Sequence, residues 1–443
     1  MKTKKKIKVS MVNPNAAGVD IGSSFHFVAV PADRSETPVR RFGSFTRDLH
    51  ELAKWLQQCN IKTVAMESTG VYWLQLFLIL EEYGFEVFLV NAQHIKNVSG
   101  RKTDVLDCQW IQQLHSYGLL SASFQPEDMI RTLRGYMRHR KNLTQDYSTQ
   151  VLRMQKAFEQ LNVKLHNVIT DITGKSGQLI IRAILAGERD AETLASLASD
   201  RVKAKKEDII LSLEGNWKEG PLFELRQSYE LYLIYKQKIA ECDNQIKEHM
   251  EILVSKENTE IEKDSARKVY SKNRLNFNAT PYLKGIAGVD LTEVFGISEV
   301  CAMEIVSETG LDMSKWPSVK HFISWLNLSP NNRISGGKLL SNKRKKSKNK
   351  AGQAFRMAAF ALQRSEHYLG SFYRRMKAKG GPMYATKATA RKLAVIFYYM
   401  ISNQMEFTPI PIEEYDKKFI DKRMAYLKRQ ATKLGMELVE AGP

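Results

Sequence analysis

Cysteine and long apolar segments are scarce in this chain, and each shortage excludes a class of protein. The 443 residues include four cysteines that lie far apart, with no C-x-x-C pair, so neither a zinc site nor a disulfide framework is expected. The longest apolar runs, residues 71–80 and 394–401, are too short to span a bilayer, and residues 1–8 lack the apolar segment of a signal peptide. We therefore expect a cytoplasmic protein without a membrane partner.

Acidic residues are scarce in one region of the chain. The whole sequence carries 67 lysines and arginines against 48 acids, a net charge of +19. Residues 331–400 contain 17 of those cations and a single acid, Glu366. Because the excess charge is concentrated there, we interpret this region as a binding surface for a polyanion. The length predicts two or three domains, and the 43% hydrophobic content is ample for their cores.

The N-terminal part of the chain alternates between strand-like and helix-like segments. Three short strands are predicted at residues 16–21, 25–30 and 39–45, and their short connections favour antiparallel pairing. After them we predict a helix at 47–59, a strand at 63–66, a helix at 71–83, a strand at 85–90, a short helix near Gln93 and a helix opened by Thr103. This is the element order of an α/β, ribonuclease-H-like fold.

Four acids occupy related positions in these elements. Asp20 lies inside the first strand, Glu67 ends the apolar run of residues 63–67, and Asp104 and Asp107 lie three apart in the first turn of a helix, so that their carboxylates share one face. Any one of them has an ordinary explanation, since acids are common at strand ends and helix N-termini. Four converging carboxylates, however, repel one another unless divalent cations neutralise them. The set predicts a Mg²⁺ (or Mn²⁺) site for phosphodiester chemistry.

Similarity to a nucleotide-binding site offers a minor alternative to the metal site. Residues 20–24, Asp-Ile-Gly-Ser-Ser, also resemble the first phosphate loop of actin-like sugar kinases, and Ser335-Gly-Gly337 resembles their adenosine-binding glycine pair. The middle third contains no second Asp-x-Gly phosphate loop, and long helical patterns lie there instead. The metal-site interpretation is therefore favoured.

Long helical patterns mark the middle of the chain. Apolar residues keep a three-four spacing over residues 127–168, interrupted by Arg140 and Gln150, and again over 225–253. Two interpretations are open: a local helical bundle that packs on itself, or an antiparallel coiled-coil arm used for dimerisation. We assign residues 10–122 to the α/β domain, 123–256 to a helical or coiled-coil arm and 257–280 to a polar linker.

In the C-terminal region, the sequence predicts a mostly α domain at residues 281–410, with a helix-hairpin-helix-like start, and a charged helix at 411–443. Ser335 precedes two glycines, which let the backbone approach a phosphate closely, although Ser-Gly-Gly is also an ordinary flexible loop. The surrounding cations are either a solvated loop or nucleic-acid contacts, and the regional charge favours the second. These cations are Arg333, Lys338, Lys343, Arg344, Lys345, Lys346, Lys348 and Lys350.

Taken together, these motifs carry a family resemblance. The chain resembles insertion-sequence transposases that join an N-terminal RuvC-like DEDD domain to a C-terminal serine-bearing transposase domain, the bridge-RNA-guided recombinases, and within them the longer-chain subgroup. The N-terminal matches are Gly18-Val-Asp-Ile-Gly22, Met66-Glu-Ser-Thr-Gly70 and residues 101–107. The C-terminal matches are Asp312-Met-Ser-Lys-Trp-Pro317, residues 322–328 and 330–338, Tyr373-Arg-Arg375 and Ala390-Arg-Lys-Leu393.

The resemblance implies a mechanism and partners. Asp20, Glu67, Asp104 and Asp107 would bind Mg²⁺, and Ser335 would be the nucleophile that forms a covalent link to double-stranded DNA before the ends are rejoined. A non-coding guide RNA would pair with donor and target DNA. The family further implies a homo-oligomer, a dimer or tetramer, in which the acids of one protomer meet the serine of another, in a cytoplasmic protein associated with the bacterial nucleoid.

Two other classes of function stay open. A RuvC-like, metal-dependent nuclease would hydrolyse junction DNA, with Ser335 as a loop residue only. A non-catalytic nucleic-acid-binding protein would have a degenerate site, although acids at all four positions argue against it.

Overall fold

The computed structural model describes residues 10–91, 104–257, 273–330, 332–341 and 349–439. The chain divides into two compact units, residues 1–125 and 126–443. The helix predicted near Gln93 and most of the predicted linker lie outside the described residues. Among the described helices, none combines the length and the apolar content that a membrane span requires.

The first unit contains one mixed sheet and its helices. The strands are β1 (Ala16–Ile21), β2 (Phe25–Ala29), β3 (Val39–Gly43), β4 (Thr63–Glu67) and β5 (Glu86–Val90), and the helices are α1 (Thr46–Gln58), α2 (Trp73–Glu82) and α3 (Asp104–Ser116). The strand order is β3-β2-β1-β4-β5. Pairing is antiparallel among β1, β2 and β3 and parallel among β1, β4 and β5. This arrangement fits a ribonuclease-H-like domain, as the sequence predicts.

The two faces of the sheet bury different helices because successive side chains of a strand point to opposite sides. On β4, Met66 packs into a core that includes Leu52 of α1 and Leu80 of α2. Ala65 faces the other way, where it packs with Ile111 of α3. The face covered by α3 is the one that carries the candidate acids.

The second unit begins with two long helices that enclose several short ones. They are α4 (Asp128–Gln160), α5 (Leu165–Val168), α6 (Lys175–Ala186), α7 (Ala191–Ser196), α8 (Lys206–Ser212) and α9 (Glu219–Lys256). Helices α4 and α9 run antiparallel, since His249 contacts the carbonyl of Met129 whereas Tyr232 bonds Tyr147 near the opposite end. The continuous helix predicted over 127–168 is wrong beyond Gln160, because the chain turns at Asn162 with a left-handed φ of 59°.

The short helices pack against the distal ends of the pair. Phe158 of α4, Ile180 of α6 and Tyr232 of α9 share one buried core with Leu165 and Leu213. At this end, which we call the head (residues 161–218), the helices pack on one another around one core. Use of the helix pair in dimerisation stays a prediction.

The polar interruptions of the helical pattern have different environments. Arg140 bonds Asp243 across the seam of α4 and α9, and its Nη2 donates to the carbonyl of Arg274 at 2.9 Å. The Asp243 carboxylate also accepts the backbone N–H of Asn276 at 3.0 Å. Gln150 is buried too, and its Oε1 has no partner among the described residues. The Arg140–Asp243 pair thus fixes the register of the seam and ties the segment after α9 to it.

We expect Asp243→Ala to destabilise the helix pair by about 3–5 kcal/mol, because it leaves the buried guanidinium of Arg140 without its counter-charge. Hydrogen exchange of peptides from α4 and α9 measures this locally. The double substitution Arg140→Met/Asp243→Leu removes both charges and is expected to recover most of the loss. Unchanged protection in Asp243→Ala would contradict this account of the seam.

The rest of the second unit is mostly helical. It comprises α10 (Thr280–Ala287), α11 (Glu299–Thr309), α12 (Val319–Trp325), β6 (Arg333–Ser335), β7 (Lys338–Ser341), α13 (Lys350–Ala361), α14 (Tyr368–Asn403) and α15 (Ile412–Lys433), with 3-10 turns at Leu291–Glu293, Met313–Lys315 and Leu362–Arg364. Gly288 ends α10 with a φ of 73°, and Ser298 caps α11, so this region begins with two short helices that a segment with a 3-10 turn connects. Helix α15 has no buried residue, in agreement with the predicted charged terminal helix.

Candidate active site and nucleic-acid interface

Asp20 and Glu67 lie at the carboxyl ends of two adjacent parallel strands. Val19 of β1 pairs with Met66 of β4, so the two acids occupy the next position on each strand. Since Val19 and Met66 point into the core beneath α1 and α2, the acids lie on the opposite face, which α3 covers. Both acids are half-buried. The sheet therefore brings together two of the predicted acids.

Helix α3 brings its first turn to the same edge. His115, near its C-terminus, has Nε2 2.8 Å from Oγ1 of Thr63, the first residue of β4. The helix therefore runs antiparallel to β4, and its start, with Asp104 and the half-buried Asp107, comes to the carboxyl ends of β1 and β4. The side chain of Asp104 lies outside the described residues.

Gly18 allows α3 to lie close against β1. A Cβ at this position would lie 2.2 Å from the backbone N of Gln112 and 2.4 Å from the carbonyl O of Cys108. Backbone atoms cannot be displaced by a rotamer change, so only glycine fits. This residue fixes the distance between the strand that carries Asp20 and the helix that carries Asp107.

Gly18→Ala is expected to destabilise the first unit by about 1–3 kcal/mol through overpacking. The displacement of α3 is also expected to lower DNA cleavage by about 10²-fold, because the acids then miss their working geometry. Thermal unfolding and single-turnover cleavage measure the two effects. Gly135→Ala is the matched control, since a Cβ there meets nothing within 4 Å. DNA cleavage by Gly18→Ala at the wild-type rate would show that the close approach of α3 to β1 is not critical for the reaction.

The pKa of the Cys108 thiol reflects the negative charge at this edge of the sheet. Burial, and next the carboxylate of Asp20, raise the pKa of the Cys108 thiol to about 12, and Asp107 acts in the same direction. Two carboxylates from different elements therefore act on one buried thiol. The excess negative potential at the start of α3 is what a divalent cation would neutralise.

The described acids do not by themselves complete a metal site. Among the described residues, no three His, Cys, Asp or Glu side chains are grouped closely enough to hold a metal ion. Asp20, Glu67 and Asp107 have the hard oxygen ligands that Mg²⁺ prefers, and the fold directs them to one edge. The ligand chemistry of these acids thus suits Mg²⁺, and the assembly of the predicted four-carboxylate site stays a prediction.

Sequence reasoning missed a supporting residue beside Glu67. The Oγ1 of Thr69 donates to Oε1 of Glu67 at 3.3 Å. The backbone N–H of Ser68 donates to the carbonyl of Val90 at 3.0 Å, which ties the loop to β5. Gly70 then turns the chain with a φ of 54°. The sequence Ser-Thr-Gly after an acid was the available signal for such an orienting hydroxyl.

Ser335 lies at the tip of a β-hairpin. It pairs with Lys338 across β6 and β7, and the connecting Gly336 and Gly337 have φ values of 54° and 77°. Two positive φ values in a two-residue connection are those of a type I′ turn, which requires residues such as glycine. Ser335 and Lys338 are both exposed. The hydroxyl is therefore presented to solvent from a defined turn, whereas Ser-Gly-Gly alone suggests a flexible loop.

Comparison with known families agrees with both halves of this description. A family model described as a transposase, DEDD_Tnp_IS110, matches residues 17–163, and one described as transposase IS116/IS110/IS902 family matches residues 290–374. The chain carries IS110-family transposase domains. The comparison with curated proteins gives no match. The first matched segment contains the acids and the second contains Ser335, and the family's function is DNA recombination.

In this transposase, the β6–β7 hairpin that carries Ser335, the serine hairpin, is anchored on both sides. The Nζ of Lys387 donates to the carbonyl of Ser329 at 2.9 Å, just before the hairpin. After it, Asn349 caps α13 by accepting the N–H of Gly352 at 2.7 Å, and its Nδ2 donates to the carbonyl of Trp325 at 3.1 Å. The two chain segments that enter and leave the hairpin region are thus held by the helical domain.

The predicted nucleic-acid contacts fall into three groups. Lys338 is exposed beside Ser335. Lys350 is exposed at the start of α13, and partial desolvation, with the charge of Arg138 next, lowers its pKa. Lys343, Arg344, Lys345, Lys346 and Lys348, and the side chain of Arg333, lie outside the described residues. Contact of all these residues with nucleic acid stays a prediction, and among the described side chains Lys338 and Lys350 have the exposure that it requires.

Two cations, Arg138 and Arg375, have partners within the second unit. Arg138 binds Glu308 through two 2.8 Å hydrogen bonds, which join α4 to α11. The Arg375 guanidinium lies over the rings of Tyr415 and Phe419, at 4.5 and 4.1 Å from their centroids. These contacts stabilise the fold, so part of the positive charge is not available to a ligand.

Proposed function

We propose that this transposase is an RNA-guided DNA recombinase that cuts and rejoins insertion-element and target DNA through a serine–DNA covalent intermediate. The observation that carries the proposal is the convergence of Asp20, Glu67 and the start of α3 at one edge of a ribonuclease-H-like sheet. The exposure of Ser335 on a defined hairpin turn supports it. Asp104 and Asp107 complete the proposed acidic set.

The chemistry proposed for Ser335 is a transesterification. Its Oγ attacks the scissile phosphorus, the Oγ–P bond forms, and the P–O bond to the departing strand breaks. The hydroxyl proton leaves Ser335, and the departing oxygen gains a proton. The hydroxyl of a new strand end then attacks the phosphoserine link and regenerates Ser335, so that no phosphodiester bond is lost to water.

The acids have a distinct role in this proposal. Asp20, Glu67, Asp104 and Asp107 would hold Mg²⁺ or Mn²⁺, which polarises the phosphate when bound. Lys338, opposite Ser335 on the hairpin, would place a positive charge beside the phosphate and offset the charge that develops on its oxygens. The exposed Lys338 ammonium needs no rearrangement of the domain to do this.

RNA guidance and oligomerisation belong to the same proposal. A non-coding RNA would supply the sequence specificity by pairing with donor and target DNA. The antiparallel helices α4 and α9 provide a long element through which a dimer or tetramer would join, with the acids of one protomer acting with Ser335 of another.

A recombination assay with and without the transcribed non-coding flank of the element tests the proposal. Donor DNA, target DNA, Mg²⁺ and the purified transposase are combined, and the joined product is quantified. We expect product only when the RNA is present, and a change in its target-pairing segment is expected to redirect insertion to the matching target. Equal product without RNA would overturn RNA guidance and leave the transposase as a protein-guided recombinase.

A RuvC-like, metal-dependent junction nuclease is the second candidate. It is favoured by one observation, that the acids lie in a compact unit with its own sheet and core. In that case water replaces Ser335 as the nucleophile, and cleavage products carry free ends. The two candidates differ in whether Ser335 is needed for cutting.

A further inference from the structure

Helix α14 contains a sharp bend that its glycines build into the fold. Gly380 and Gly381 depart from helical geometry, and Gly381 has a φ of 80° and a ψ of 175°, a conformation that other residues rarely adopt. Pro382 then starts the second half of the helix. A Cβ on Gly380 would lie 2.9 Å from the ring of Tyr384. The bend is therefore specified by the sequence and exposes a short elbow, residues 377–384.

The elbow lies in a stretch with no acid. Residues 367–405 contain seven lysines and arginines and neither aspartate nor glutamate. Arg374 donates to the carbonyl of Ser365, while Lys392 lies among aromatic rings. Lys377 and Lys379 differ from these, because both are exposed and neither has an ion pair or hydrogen bond among the described residues. The two elbow lysines are thus available to an external anion.

Apolar side chains accompany these two lysines. Met383 is 62% exposed and Tyr384 is 46% exposed, on the first turn after the bend. An isolated exposed aromatic needs no explanation, and lysines alone are usually a solvated surface. Cations next to an exposed aromatic, however, are the combination that binds nucleic-acid strands, in which phosphates contact the cations and bases stack on the ring.

The elbow also lies beside the chain that enters the serine hairpin. Lys387, one turn after Tyr384, donates to the carbonyl of Ser329 at 2.9 Å. Ser329 precedes Ser335 by six residues. A strand that reaches Ser335 from this side would pass the elbow.

We propose that the elbow is a DNA-binding subsite for the strand whose phosphate Ser335 attacks. Lys377 and Lys379 contact backbone phosphates, and Tyr384, supported by Met383, stacks on an unpaired base next to the scissile position. The identity of the ligand as DNA rests on the proposed function. The elbow lies outside both segments that match the family models, residues 17–163 and 290–374.

The lysines are tested by the salt dependence of binding. A fluorescent DNA duplex of about 30 base pairs, a length that covers several phosphate contacts, with a few unpaired bases at its centre, is titrated by anisotropy at several salt concentrations. Lys377→Ala/Lys379→Ala is expected to weaken binding and to reduce the slope of log K against log salt by about two. Lys203→Ala/Lys205→Ala on the head removes two exposed lysines at the same spacing and is expected to leave the slope unchanged.

The aromatic residue is tested by comparing two probes. Tyr384→Ala is expected to weaken binding of the probe with unpaired bases about 10-fold, and to change binding of the fully paired duplex little. Tyr384→Phe keeps the ring and is expected to restore binding. Tyr399→Ala removes an aromatic of similar exposure, 48%, from the same helix and serves as the control.

Three results would overturn the subsite. The lysine variant could show the wild-type salt slope, or the control variants could lose as much binding affinity as the elbow variants. The elbow variants could also bind DNA normally and lose affinity only for an RNA probe of the same sequence. These measurements need no catalysis. If the elbow variants behave as expected while the wild type forms no serine–DNA link, the proposed serine chemistry fails, and the elbow stands as a DNA-binding site without a role in that chemistry. If the wild type forms the serine–DNA link and the elbow variants bind DNA normally, the subsite fails and the proposed function stands.

Discussion

Ser335→Ala is expected to lower DNA recombination by at least about 10³-fold, because it removes the attacking hydroxyl and the adjacent turn residues, Gly336 and Gly337, offer no substitute. DNA binding is expected to stay within about twofold of wild type, since the substitution removes no charge. Single-turnover strand-transfer kinetics and anisotropy measure the two effects.

The control for this variant is Ser329→Ala. The backbone carbonyl of Ser329 accepts from Lys387, and this hydrogen bond does not need the Ser329 side chain. Cleavage by Ser335→Ala at the wild-type rate would exclude serine chemistry and favour the RuvC-like nuclease.

Asp20→Asn and Glu67→Gln are each expected to lower strand transfer by at least about 10³-fold, because each replaces a carboxylate that the proposed cation requires. Neither substitution changes side-chain volume much, so the sheet is expected to remain folded. Strand transfer is measured as a function of Mg²⁺ concentration, with thermal unfolding as the check on folding.

Glu86→Gln provides the matched control, because Glu86 is an exposed acid at the opposite end of neighbouring β5. Asp20→Asn has a second readout that does not depend on activity: loss of its charge is expected to lower the pKa of the Cys108 thiol, which the Asp20 carboxylate raises. A wild-type Mg²⁺ dependence in both acid variants would show that these residues hold no catalytic cation.

The N-terminal fold was predictable because its local signals agree with its tertiary structure. The predicted and observed bounds of β1 coincide, and β4 extends one residue beyond its predicted end to include Glu67. Alternating apolar residues and short turns determine these strands locally. The convergence of the acids then follows from the pairing of β1 with β4, which the element order already implies.

The errors lie where tertiary contacts override a local pattern. Apolar spacing continues past Gln160, but the chain turns there because Leu165 enters the core of the head. Similarly, α13 ends at Ala361, where a 3-10 turn at Leu362–Arg364 precedes α14. Helical periodicity persists through such turns when both sides face one core.

Charge counting predicted a binding region but not the role of each cation. Arg375, Lys387 and Lys392 have the same sequence character as Lys377 and Lys379. Only the folded chain shows that the first three contact rings or carbonyl groups, whereas the last two are exposed. The partners of a long side chain come from distant parts of the sequence, so local composition cannot distinguish them.

The most direct test of serine recombination is mass spectrometry of the protein after reaction with DNA. The wild-type transposase is incubated with substrate, Mg²⁺ and RNA, denatured, and digested with nuclease and protease. The account predicts a peptide containing Ser335 with a nucleotide attached through its Oγ, and no such peptide from Ser335→Ala. Cleaved DNA with free ends and an unmodified Ser335 peptide would contradict it.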